Sequence, residues 1–354
     1  MVESGWEAMR QFLARVAVGP SGSRDLDRGE ACRAMRLCLD RQATDVQIGV
    51  FLIAERLKRE SDEEVLGFFD ALLETSQVIS TRTRLLVSIA DPYDGYNRTA
   101  HFAPATAATL AALGVPTLLH GVEHMPPKYG TTARQVLRAG GHTLDVGGGV
   151  EALEAAAKRL DSQGLAYVGL EDFNPKLHAL TQIRREIAKR STLATLEKLI
   201  TPIRGRRQTH VVAGWVHAGY DQLMCRVLQS AGIESGFLLN GREGHTDPHL
   251  HRETPLCSYH GEEAVQKHTV SPADVQLRVD EPLVSAGTSP EAMAAQIQAV
   301  LSGAQGGASD TVAFSAALIL RHVGVFPDLS DGFERARRVL SNGKARDVYA
   351  GFSV

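Results

Sequence analysis

The chain is poor in cysteine. Four cysteines (Cys32, Cys38, Cys225 and Cys257) occur among 354 residues, and no two form a C-x-x-C pair. That usage excludes a disulfide framework and predicts reduced thiols in a cytoplasmic protein. No apolar run approaches the roughly 18 residues of a membrane span. Met1 to Arg15 breaks its apolar residues with Glu3, Glu7, Arg10 and Arg15, so no signal-peptide core is expected there. An excess of positive charge is also missing. Lys and Arg total 38 against 41 Asp and Glu, a formal net charge of −3, which argues against a uniformly basic nucleic-acid coat. Neither a G-x-S-x-G elbow nor a G-x-x-x-x-G-K-[ST] loop is present, so serine-hydrolase and P-loop chemistry have no support. What remains is an ordinary globular composition, long enough for roughly two domains at about 100–200 residues each.

The first quarter carries helical signals. Trp6, Met9, Leu13 and Val16 recur at three- and four-residue spacing, one face of a helix. Asp27 precedes Glu30, Thr44 precedes Gln47 and Ser61 precedes Glu64 by three residues. In that capping-box spacing the first side chain accepts from the third amide and the second reaches back. Apolar stripes follow each: Ala31, Met35 and Cys38; Ile48, Phe51 and Leu52; Val65, Phe68, Phe69 and Leu72. Four helices are predicted over about 5–75, with apolar faces that must pack on each other or on a partner subunit.

From Leu85 the period changes. Leu85–Ala90, Pro116–His120, Ala166–Leu170, His210–Trp215 and Ile233–Leu239 read as short buried strands. Between them, Ala103–Leu113, Thr132–Ala139, Glu151–Leu160 and Tyr220–Ala231 read as helices, as do 290–301, 310–322 and 329–341. Strands alternating with helices imply βαβ units. The expected architecture is a helical N-terminal domain over 1–80, joined by helices around 175–200. It leads into an α/β domain over 81–354, with a mainly parallel sheet flanked by helices.

Ligands of open parallel sheets bind beyond the carboxyl ends of the strands, so the segments that follow strands are the candidates. The first, Asp91-Pro92-Tyr93-Asp94-Gly95-Tyr96-Asn97-Arg98-Thr99, could cradle a phosphate or an oxygen-coordinated cation; its residue types equally suit a plain turn. The second runs from His120 and Gly121 through Lys128 to Gly130, Thr131 and Thr132 at a helix start. A cation, free amides and hydroxyls there suit an anion; the alternative is an N-cap by Thr131 beside a solvated lysine. The third segment, Ile183 to His210, holds Arg184, Arg185, Lys189, Arg190, Lys198, Arg204, Arg206 and Arg207 against Glu186 and Glu197. It can grip the phosphates of a small molecule or of a nucleic-acid backbone, or form a solvated helix face. It lacks aromatics for base stacking. The fourth gathers Glu243, His245, Asp247, His249, His251, Cys257 and His260. No standard zinc spacing occurs, and a polar surface loop is expected.

The order of these segments resembles the anthranilate phosphoribosyltransferase and pyrimidine-nucleoside phosphorylase superfamily over nearly the whole chain. Asp25-Leu26-Asp27 and Val50 to Lys58 look like that family's opening helical domain. Leu113-Gly114-Val115-Pro116-Thr117-Leu118-Leu119-His120-Gly121 is similar to its strand ending in Lys-His-Gly-Asn. Lys128, Gly130 and Thr131 fall on its Ser-Ser-Lys-Ser-Gly-Ser loop. Arg184 falls on the arginine associated with the aromatic acceptor, and Arg190 and Pro202 continue the match. The resemblance implies a dimer that transfers a phosphoribosyl group from a ribose pyrophosphate donor to an aromatic amine, with magnesium. It also implies phosphate or substrate contacts from Asp91, Asp94, Gly95, Asn97, Thr99, His120, Gly121, Lys128, Gly130, Thr131, Arg184 and Arg190.

Departures from the family pattern are concentrated at the donor site. Its Gly-Thr-Gly-Gly-Asp turn is Asp91-Pro92-Tyr93-Asp94-Gly95 here. Pro92 lacks a donor and Tyr93 crowds the backbone approach that glycines allow. Its Asn-x-Ser-Thr becomes His101-Phe102-Ala103-Pro104, the Asn after His-Gly becomes Val122, and its magnesium-binding Asp-Glu pair falls near Thr246-Asp247, leaving Asp247. This pattern looks like the divergent branch of the superfamily, one lineage of which is regarded as nucleic-acid binding. Two expectations follow. One is a phosphoribosyltransferase-like protein with a degenerate donor site and an unassigned acceptor, taking a phosphorylated ribose donor or another anionic small molecule. The other is a non-catalytic nucleic-acid binder using Arg184, Arg185, Lys189, Arg190, Arg204, Arg206 and Arg207. A homodimer through the N-terminal helices suits both.

Overall fold

A computed structural model of the chain describes residues 4–19, 21–144, 148–279 and 287–353. It opens with α1 (Gly5–Val16), α2 (Arg28–Leu39), α3 (Asp45–Lys58) and α4 (Asp62–Glu74). The three capping boxes read from the sequence close as expected. Glu30 N–H, Gln47 N–H and Glu64 N–H donate to Asp27, Thr44 and Ser61. A fourth box, Ser4 with Glu7, starts α1. Phe51 and Phe68 meet edge to face, with centroids 5.7 Å apart, a favoured aromatic geometry.

The chain then builds β1 (Ile79–Ser80), β2 (Leu85–Ala90), α5 (Ala103–Ala112), β3 (Thr117–Gly121), α6 (Ala133–Ala139), α7 (Val150–Gln163) and β4 (Leu165–Gly169). Four short helices follow: α8 (Leu170–Phe173), α9 (Pro175–His178), α10 (Thr181–Ile187) and α11 (Leu193–Leu196). Leu177, Leu180, Ile183 and Leu196 of this stretch share an apolar cluster with Phe51, Phe68 and Leu72 of the opening helices. Next come β5 (Ile203–Arg204), β6 (Gln208–Trp215), α12 (Tyr220–Ser230), β7 (Ser235–Asn240), β8 (Thr254–His260) and β9 (Gln266–Val270). The chain closes with α13 (Pro290–Leu301), α14 (Gly307–His322), α15 (Leu329–Ser341) and α16 (Lys344–Tyr349).

Seven strands form one sheet in the order β4-β3-β2-β6-β7-β8-β9, and β1 pairs separately with β5. β4 through β7 run parallel. β8 and β9 add an antiparallel edge that the sequence reading did not predict. Side chains alternate between the sheet's two faces: Leu86, Leu118 and Val211 join the cluster under the opening helices, whereas Val87, Leu119 and Val212 face the cluster containing Phe314 and Ile319 of α14. Both faces are therefore covered, which is why these strands read as continuous apolar runs. Cys225 and Cys257 stand 3.6 Å apart at sulfur and are not bonded. No helix among the described residues is long and apolar enough to cross a membrane.

From β2 the connections run outward to β3 and β4 on one side, and from β6 to β7 on the other. The β2–β6 boundary is thus the topological switch point where open α/β sheets hold ligands.

Candidate active-site cleft

A cavity of about 450 Å³ opens at that switch point. Arg98 and Thr99 from the segment after β2 line one side. Val216 after β6 and residues between 240 and 252, at the end of β7 and beyond it, line the rest. Gly214, inside β6, lets that segment come close: a Cβ there would stand 2.1 Å from the Gly244 carbonyl oxygen. Any side chain would push the wall off the sheet.

The loops after β2 and β3 do meet, as their positions suggested, but they close on each other. Tyr96 and Thr131 exchange both backbone hydrogen bonds at 2.9 Å, and Gly130 N–H donates to the Asp94 carbonyl at 2.8 Å. Gly95 and Gly130 lie so tightly together that a Cβ on Gly95, itself at φ +70°, would stand 2.3 Å from the Gly130 oxygen. Lys128 is not the solvated lysine of the simple capping alternative. It donates to the Gly95 carbonyl and pairs with Glu243 at 2.8 Å. The N-cap of α6 is Thr132, one residue beyond the expected Thr131, whose hydroxyl donates instead to the Thr288 carbonyl.

Glu243 organises the rim. Its carboxylate accepts from Asn97 N–H at 3.2 Å, Arg98 N–H at 2.8 Å, Thr99 Oγ1 at 3.2 Å and Lys128 Nζ at 2.8 Å. Burial works against ionisation, but the Lys128 ammonium and the two amides outweigh it and bring the carboxyl down to about 2. Its backbone lies in the left-handed region at φ 59°, ψ 9°, uncommon for a residue with a Cβ.

Other predicted site residues point inward. Asp94 is buried and receives Arg190 at 2.5–2.6 Å. Asp91 is buried, accepts from Tyr96 Oη at 2.7 Å, and has its other oxygen 3.8 Å from His101. His120 is sealed in the core between the Tyr93 hydroxyl at 2.7 Å and the Ser88 hydroxyl at 3.2 Å, and burial pushes it down to about 3. Gly121 lies beneath Tyr93 and Tyr167. Arg184, expected as an anion contact, is 3% exposed and grips Glu197 through two nitrogens at 2.5 and 3.0 Å. A bidentate pair leaves that guanidinium engaged inside the protein.

The basic segment does not form one strip. Arg184 is interior, and Lys198 is buried with its ammonium donating to the Gly214 carbonyl at 2.6 Å. Burial draws Lys198 down to about 8. Arg190 is paired with Asp94, whereas Arg185 and Lys189 are exposed near it in sequence. Arg206 and Arg207 are exposed on the turn entering β6, bonded through their amides to the Thr83 and Arg84 carbonyls. Arg204 donates to the Ala231 carbonyl. The turn that carries Arg206 and Arg207 therefore stands at the amino ends of β2 and β6, opposite the cleft.

The stretch expected as a polar surface loop is instead a buried wall. His245, Thr246, Asp247 and His249 are all under 9% exposed. Asp247 accepts from Ser315 at 3.0 Å, and burial, reinforced by the charge of Asp91, pushes its carboxyl up to about 7. No group of three His, Cys, Asp or Glu able to hold a metal ion occurs among the described residues. Asp247, the single carboxylate expected to meet magnesium, is therefore not part of such a group. The residues missed by the sequence reading are Arg242, Arg252 and the role of Glu243. Their position directly after β7 was the available signal, because the wall follows a strand of the switch-point sheet.

These features define an α/β protein with a cleft at the carboxyl ends of its parallel strands and a helical bundle against it. The glycosyl transferase family a/b domain matches residues 95–346, and the same family's helical bundle domain matches 10–76. The chain therefore belongs to this glycosyl transferase family. Among its relatives, anthranilate phosphoribosyltransferase of Anaeromyxobacter dehalogenans is 28% identical over 323 residues, covering 91% of this chain and 92% of that one. The Thermomicrobium roseum enzyme is 29% identical over 329 residues, covering 91% and 90%. The same fold occurs in anthranilate phosphoribosyltransferase from Thermus thermophilus, with a TM-score of 0.77, 22% identity and 97% of each chain covered. It occurs also in the Saccharomyces cerevisiae enzyme in complex with phosphoribosyl pyrophosphate and magnesium, with a TM-score of 0.79, 15% identity and 99% and 98% covered.

Proposed function

We propose that this chain carries out glycosyl transfer of the phosphoribosyltransferase type, with a phosphorylated donor in the switch-point cleft and an acceptor that is not assigned. The carrying observation is the cleft's rim of guanidinium groups. Arg98, Arg242 and Arg252 are exposed on its lining, and Arg242 and Arg252 form no ion pair among the described residues. Displacement at the anomeric carbon breaks its bond to the leaving oxygen and forms one to the acceptor nucleophile. The chain's contribution is to orient the donor and stabilise the charge that develops on the leaving group. Magnesium enters this reading as the counter-ion of a diphosphate donor rather than as a resident of Asp247. The burial of Arg184 against Glu197 supports an acceptor that does not rely on that arginine.

Calorimetric titration with phosphoribosyl pyrophosphate, with and without magnesium, tests the reading. Binding that weakens at least about tenfold in the Arg98→Ala/Arg252→Ala variant supports it; absence of binding under both conditions overturns it. In the nucleic-acid alternative, the exposed Arg206 and Arg207 contact phosphates. DNA affinity that falls with salt, with a slope that shrinks on removing those two side chains, would favour it instead. A dimer belongs to the proposal as well. Val46, Val50 and Leu57 are exposed along one face of α3, at 76%, 44% and 76%, with Trp6 of α1 at 45%.

A further inference from the structure

The Glu243 carboxylate sits in a set of donors suited to a phosphate oxygen. Two successive amides (Asn97 and Arg98), one hydroxyl (Thr99) and one ammonium (Lys128) converge on it within 3.2 Å. Convergent backbone amides and a lysine make an anion seat. This one is already filled by the protein's own side chain, which is 2% exposed. The filling group comes from a different strand end than the seat itself, across 144 positions from Thr99. It is carried on a short turn, Arg242–Gly244, whose Gly244 is at φ +82° and whose Glu243 is itself in the left-handed region. Such a backbone persists where surrounding contacts over-determine it, and here the four donors supply them. Both Thr99 and Glu243 line the open cavity, so the seat and the carboxylate that fills it border the cleft.

We propose that Glu243 is a resident anion that keeps an oxyanion seat closed, and that a phosphate group of the incoming ligand takes the seat when the Arg242–Gly244 turn carries Glu243 outward. This rests on the glycosyl-transfer reading for its ligand class, a phosphate ester or diphosphate, but not for the seat. In the closed state Arg98, Arg242 and Arg252 meet the ligand first. Exchange of one anion for another at Lys128 leaves the net charge of the seat nearly unchanged.

Inorganic phosphate is the probe, titrated into the full chain by calorimetry, with sodium chloride at matched ionic strength as the control. Removing the carboxylate by Glu243→Ala, or its charge by the near-isosteric Glu243→Gln, should tighten phosphate binding at least about tenfold over the wild type. Phosphate should also raise the melting temperature of either variant more than that of the wild type. The gain should vanish in Glu243→Gln/Lys128→Gln. Equal phosphate affinity in wild type and Glu243→Gln, or a gain that survives loss of Lys128, overturns the proposal. Failure here with intact binding of phosphoribosyl pyrophosphate by the wild type would leave the functional reading standing. Phosphate gain without any donor binding would do the reverse.

Discussion

Two glutamates of this protein occupy the same chemical setting in different places. Glu64, in the helical bundle, accepts from Leu26 N–H at 2.7 Å, Ser61 N–H at 2.8 Å and Lys58 Nζ at 2.5 Å. Glu243, at the cleft, accepts from two amides, a hydroxyl and Lys128. Each is a carboxylate in a nest of amides closed by a lysine. The backbones differ. Glu64 stands in the first turn of α4, closing a capping box that the sequence announces, whereas Glu243 is held in a left-handed turn by partners more than a hundred positions away. The surroundings differ too: Glu64 is wholly enclosed, and Glu243 borders a cavity. The same chemistry is a staple where the backbone is relaxed and closed over. It becomes a candidate ligand mimic where the backbone is strained and open space adjoins.

Breaking the staple should have the largest effect. Glu64→Ala takes from Lys58 its nearer buried carboxylate, leaving it Asp25 and Glu55, strands the buried Leu26 amide, and should cost about 3–5 kcal/mol in urea unfolding. No concentration of phosphate should restore it. Glu243→Ala should cost less, about 1–3 kcal/mol, because Lys128 keeps the Gly95 carbonyl, and phosphate should recover much of that loss. Equal phosphate recovery in both variants would erase the distinction.

Acidity sharpens the comparison further. The Glu243 carboxyl is depressed to about 2, so its contribution is present above the ordinary carboxylate value and is lost as pH falls toward 2. Asp247 behaves oppositely. Raised to about 7, it favours the folded state at pH below the ordinary carboxylate value, and that contribution is lost as pH rises through 7. Asp247→Asn should therefore flatten the decline of stability between about pH 4 and 7 without altering the acid limb, as read by melting temperature against pH. The smallest effect on stability belongs to the exposed apolar face of α3. Leu57→Glu should change monomer stability by no more than about 0.5 kcal/mol, while light scattering of the variant beside the wild type tests the proposed dimer, which the charge should disrupt.

Much of the architecture was legible because its signals are local. Asp27, Thr44 and Ser61 announce helix starts through partners three residues away, and the runs at 85–90, 210–215 and 233–239 are mostly apolar because both sheet faces are covered. The β8–β9 edge was not legible. Its residues mix polar and apolar types, and pairing with β7 decides their conformation.

By itself, the sequence determined the helical bundle, the parallel order of strands and helices, and the segments that follow the strands. Only the tertiary structure decided how the charges in those segments are used. Arg184 turns inward to Glu197, Arg190 closes on Asp94, and Lys128 meets a carboxylate from the far side of the cleft. Periodicity and capping depend on neighbours within about one helical turn. An ion pair depends on which distant segments the fold brings within a few ångströms, and on how much water it excludes between them.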